Sequence, residues 1–130
     1  MLGMKTTSVV LALLFAASCS KDAPTAMGVC QKIEAAGVAK NCKESKPGGL
    51  GAAAIERADF DLPSVAGKTG SVLRFDREST YTSTEEAYAK AAMLAGPHRY
   101  GSKKSLIFVQ MNEGLGLPEG KKVKELVDSL

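Results

Sequence analysis

Three cysteines divide this chain before any element is assigned. Cys19 closes an apolar stretch that runs from Val9 to Ala17, with one positive charge before it at Lys5 and small residues directly ahead of the cysteine. Charge, apolar core and small residues in that order read as an export signal. The stretch is too short for a permanent span, which needs about 20 apolar residues, and Ser20, Lys21 and Asp22 follow at once. A buried helix at the margin of a small core would show a polar face, and this segment has none. The folding domain therefore begins after it, and the cysteines left to that domain are Cys30 and Cys42.

The residues Ala16, Ala17, Ser18 and Cys19 resemble the cleavage and acylation site of bacterial lipoprotein precursors, and the resemblance covers residues 1–22 only. It implies removal of residues 1–18, a diacylglyceryl group and fatty acid (palmitate) on Cys19, and a tether over residues 19–25. Ser20 after the cysteine implies sorting to the outer membrane. The chain departs from the family pattern at Ala16, where Leu is usual. Ala16 and Ser18 also satisfy the small-x-small rule of ordinary signal cleavage, which would release a soluble protein instead. That cut would leave an odd number of thiols in an oxidising compartment, where an unpaired thiol is a liability.

With Cys19 acylated, Cys30 and Cys42 form an even pair where disulfides persist, and a bridge between them is expected. Loop-closure entropy gives such a bridge about 3 kcal/mol. Ala26, Val29, Cys30 and Ile33 recur at helical spacing, Gly37 can take the left-handed cap, and Val38 can pack back on Ile33. The chain then reverses and can bring Cys42 to the helix. Zinc is disfavoured, since only His98 adds an imidazole, and neither a redox nor a haem Cys-x-x-Cys motif occurs. No cofactor or metal is expected.

Residues 26–130 suffice for one small domain. The export signal carries only Lys5 among charged residues, which takes the whole-chain balance of +3 to +2. A balance so near neutral gives no warrant for nucleic acid as a partner. Residues 43–51 read as a loop, and Ala54, Ala58, Phe60 and Leu62 alternate as a strand. Residues 63–70 form a turn, and residues 71–76 a second strand. Ser83 with Glu86 forms a capping-box pattern for a helix over residues 84–95, with Ala87, Tyr88, Ala91, Met93, Leu94 and Ala95 as its stripe and Gly96-Pro97 as its stop. The apolar run at residues 106–111 reads as an interior strand. A last helix starts near Pro118, with Val123, Leu126, Val127 and Leu130 on one face. The order α-β-β-α-β-α favours a small two-layer α+β domain with helices covering one face of the sheet.

Catalytic patterns are weak. Gly67-Lys68-Thr69 resembles the end of a phosphate-binding loop, but Leu62 stands where that loop needs glycine, and a strand rather than a helix follows. No Gly-x-Ser-x-Gly elbow is present. The richest polar stretch is residues 98–104, where His98, Arg99, Tyr100, Lys103 and Lys104 share one connection that could hold an anion or a protein partner. Their alternative is structural, with the cations complementing the preceding helix end and Tyr100 edging the core. The expectation is a lipid-anchored envelope protein whose domain binds another envelope component or serves structurally. An exported enzyme using the His98 loop and a soluble secreted binding or inhibitor module are the alternatives.

Overall fold

The computed structural model describes residues 23–130; Cys19 and residues 1–18, expected above to be an export signal, lie outside them. The described chain runs α1 (Ala26–Ala35), β1 (Lys40–Ser45), β2 (Glu56–Asp61), β3 (Thr69–Arg74), α2 (Glu78–Lys90), α3 (Ala92–Ala95), β4 (His98–Ser102), β5 (Ile107–Met111) and α4 (Leu117–Asp128). The five strands form one sheet in the order β1-β2-β3-β5-β4, with every neighbouring pair antiparallel. This is the expected small α+β domain, enlarged by two strands that the sequence does not announce, β1 and β4. Both lie at the sheet edges, where one side needs no partner and polar residues are tolerated.

The register explains which residues face which layer. Ala58 pairs with Val72, Val72 with Val109, and Tyr100 with Val109, and these rows face α1 and α4. There they meet Val29, Cys30, Ile33, Val123 and Val127 in one fully buried cluster. One residue along each strand points the other way, because side chains alternate across a sheet. On that side Leu73, Phe75 and Phe108 pack under Tyr81, with Tyr88 at the margin. Two helices thus cover one face as expected, while α2 crosses the opposite face and adds a third layer. The rings are set edge to face, Tyr81 lying 5.9 Å from Phe75 and 6.5 Å from Phe108 between centroids.

The capping-box reading for α2 is corrected. The helix begins at Glu78 after Arg77, so Ser83 lies inside it. Its buried residues are Tyr81 and Thr84, whereas Met93 and Leu94 of the supposed stripe are 95 % and 92 % exposed. The chain breaks at Ala91 into the separate short helix α3, which turns that pair away from the core.

At the other end of the domain, α1 is capped at both ends, and Gly37 takes the C-terminal role the sequence suggests. Thr25 Oγ1 accepts from the amide of Gly28 at 2.9 Å. At the C-terminus Gly37 takes a φ of 84°, its amide donates to Glu34 O at 2.9 Å, and that of Val38 donates to Ile33 O at 3.2 Å. Those two bonds form a Schellman motif. They reverse the chain into β1, where a register irregularity between Lys40 and Lys43 accommodates Asn41 at a φ of 58°. Cys42 is thereby carried to Cys30 and bonded to it, with Cα atoms 6.1 Å apart.

Two outcomes test this packing. Replacing Cys30 and Cys42 together by Ser should lower the free energy of urea unfolding by about 2–4 kcal/mol. Phe108, 2 % exposed in an interior strand, is under both Tyr81 and Tyr88, and Phe108→Ala should cost about 3–5 kcal/mol in the same measurement.

Candidate functional site

Residues 98–104 are not a loop. His98 to Ser102 form the edge strand β4, and only the four residues before Ile107 make the turn into β5. Alternation along the strand disperses the expected cluster: His98 and Tyr100 face α4, while Arg99 faces the α2 side.

His98 is 2 % exposed. Its Nε2 lies 2.8 Å from the Leu115 carbonyl oxygen and its Nδ1 2.8 Å from the Tyr100 hydroxyl. A carbonyl can only accept, so in the neutral ring Nε2 carries the hydrogen and Nδ1 accepts from Tyr100. Burial pushes the Tyr100 phenol up, partly offset by the Lys124 ammonium, and this keeps it a donor. Nε2 thus ties the loop that leads into α4 to β4, while Nδ1 is taken up within β4 by Tyr100. Gly120 completes the seal. A Cβ there would stand 2.6 Å from both His98 Nδ1 and Tyr100 Oη, so α4 can approach this closely only with glycine.

Arg99 follows the structural alternative. Its Nε donates to Gly96 O at 2.9 Å, while Gln110 Nε2 donates to Ala95 O at 2.7 Å, and together they satisfy carbonyls at the end of α3. Lys103 approaches Glu78 at 3.3 Å, an exposed pair of small energetic value. The five expected residues therefore do not converge. Lys104 lines a cavity.

That cavity is a groove of about 840 Å3 at the end of the sheet where β3 ends and β5 begins. Lys32 of α1, Arg74 of β3 and Lys104 of the β4–β5 turn line it with Asp76, and Leu106 and Leu130 supply apolar wall. Ala23 and Pro24, the first described residues, run along it. Leu106 holds a φ of 57°, uncommon for a residue with a branched side chain, while its carbonyl accepts from the Phe75 amide at 2.9 Å. The strained turn fixes Lys104 and Leu106 against the end of β3.

The charges in the groove differ in how far they are used. Arg74 Nη2 donates to Glu56 Oε2 at 2.8 Å, and the Ala26 amide donates to Glu56 Oε1 at 2.9 Å. The Arg74 hydrogen bond, helped by the Ala26 amide, holds the Glu56 carboxyl below the ordinary carboxylate range against the effect of burial. Arg74 Nε is buried and has no hydrogen-bond partner among the described residues. Lys32 and Lys104 are exposed and make no ion pair among the described residues. The sequence gives no sign of this grouping, because Lys32, Arg74 and Lys104 come from three distant segments.

A second polar hollow, of about 230 Å3, lies over β1 and β2 beside Arg57, Asp59 and Asp61. Its groups bind one another: Asp59 accepts from Arg57 Nε and Ser71 Oγ, both at 2.7 Å. Although burial raises the Asp59 carboxyl, the bonds from Ser71 and Arg57 together hold it below its usual value. Gly67-Lys68-Thr69 forms the exposed turn into β3 and builds no phosphate cradle; Gly67 has a φ of 76°. Among the described residues no three His, Cys, Asp or Glu side chains gather as a metal site. Comparison with family models, with curated proteins and with solved structures gives no match, so the site is read from its chemistry.

Gly120→Ala measures how tightly the His98 seal is closed. Helix propensity alone would favour Ala by about 1 kcal/mol, yet the collision with His98 and Tyr100 should lower stability by about 1–3 kcal/mol. A melting temperature equal to or above the parent's would show that α4 does not depend on that contact.

Proposed function

We propose that this chain is a lipid-anchored protein of the bacterial cell envelope, held by Cys19 in the outer membrane, whose domain binds another envelope component without catalysis. The observation that carries the reading is the Cys30–Cys42 bond. It uses two of the three cysteines, suits an oxidising compartment, and leaves Cys19 as the one thiol for acylation. The approach of the chain adds support: Ala23 and Pro24 line a cationic groove, so in this reading the groove lies a few residues from the anchor. No helix among the described residues is long and apolar enough to cross a membrane, so attachment in this reading is the work of the lipid. The alternative of an enzyme acting through His98 loses its base, since both imidazole nitrogens are engaged in packing.

The test compares the intact chain with Cys19→Ser in envelope fractions. The parent should be found in membranes, and mass spectrometry should show a cleaved N-terminal cysteine carrying two or three acyl chains; Cys19→Ser should leave the membrane fraction. At about 0.8 kcal/mol per buried methylene, two chains suffice for stable anchoring. An unmodified Cys19 in the soluble fraction would overturn the anchor and favour a secreted module.

A further inference from the structure

We infer that the groove between α1, the β4–β5 turn and the end of α4 is a docking site for the anionic phospholipid headgroups of the membrane that holds the anchor. The inference rests on the lipid-anchor reading and adds to it a lipid-facing surface of the folded domain. Three observations on the groove support it.

The first is reach. Cys19 precedes Ala23 by four residues, and Ala23 lines the groove. A chain extends by at most about 3.6 Å per residue, so the acylated cysteine is never more than ~14 Å from that wall. The polar region of each leaflet is about 5–7 Å deep. Headgroups are therefore always within reach of the groove.

The second is charge. Lys32, Arg74 and Lys104 line the groove with Asp76, an excess of cations in a domain otherwise close to neutral. Lys32 and Lys104 are the exposed members, they come from different elements, and neither is committed to an ion pair among the described residues. A phosphodiester entering the groove meets two ammonium groups free to bind it, whereas Arg57 of the Asp59 hollow is already paired with Asp59.

The third is the mixture of surfaces. Leu106 and Leu130 are half-buried beside the lysines, so apolar wall and cationic rim lie together, as the boundary of headgroup and acyl chain requires. The opposite end of β4, by contrast, carries the buried His98, both of whose ring nitrogens are already hydrogen-bonded.

Because residues 23–130 bury a core of their own, the test can use a disulfide-bonded chain begun at Ser20, which has no lipid. It is sedimented with vesicles of phosphatidylcholine alone and with vesicles containing about 30 % phosphatidylglycerol. The parent should bind only the anionic vesicles and be released by salt. Lys32→Glu with Lys104→Glu should weaken binding by about thirtyfold or more, with the melting temperature recorded to exclude loss of folding. Lys121→Glu with Lys122→Glu, the same charge change on exposed residues of α4 outside the groove, should change it less than about twofold. Absence of binding to anionic vesicles, or equal losses in the two pairs, overturns the inference. So does full displacement by millimolar glycerol phosphate, which would mark a site for free anions. The acylation of Cys19 is read separately by mass, so failure of the groove leaves the anchor standing, and failure of the anchor leaves this binding result intact.

Discussion

The structure depends on keeping one strand dry on both faces. β5 presents Ile107, Val109 and Met111 to α1 and α4 and presents Phe108 to α2, and β3 and β4 flank it on either side. A strand with apolar residues at nearly every position cannot rest on the surface of a two-layer domain, because half of its side chains would meet water. α2 is the answer to that constraint. It carries the chain from β3 over the sheet to the far edge and lays Tyr81 across Phe75 and Phe108 on the way.

The edges obey a different constraint. β1 contributes little to either core, and its exposed Lys40, Lys43 and Glu44 together with its bulge discourage pairing with another chain. What holds it is β2 on one side and the covalent bond from Cys42 to Cys30 on the other. β4 is held instead by α4, through the hydrogen-bonded His98–Tyr100 pair against Gly120. One edge thus relies on a disulfide and the other on a buried polar network in which each partner is satisfied.

The position of the groove follows from this topology. α1 begins, β3 ends, β5 begins and α4 finishes at the same end of the sheet, so side chains far apart in sequence gather there with Ala23 and Pro24. Arg74 is the hinge of the arrangement: its bond to Glu56 ties β3 to β2, and Glu56 in turn accepts from the first amide of α1. A carboxyl with a lowered folded value stabilises at pH above its unfolded value, and that contribution is lost as pH falls through the folded one. Because Glu56 is partly exposed, solvent screens the effect and keeps it small.

Much of this was legible in the chain. The helix cap at Gly37, the pairing of Cys30 with Cys42, the interior strand within residues 106–111, which begins one residue later at Ile107, and the last helix with Val123 and Val127 inside are all local patterns, and local patterns survive because the backbone imposes their period wherever they occur. Three features were not. β1 and β4 are edge strands whose polar residues have no alternation to read. The start of α2 was hidden because Tyr81 is buried by contacts with residues distant in the chain rather than by a helical stripe. The clustering of His98, Arg99, Tyr100, Lys103 and Lys104 was an effect of sequence proximity alone. An extended strand sends neighbours to opposite faces, so adjacency in the chain dispersed them, and only the fold could bring Lys104 to Lys32 and Arg74.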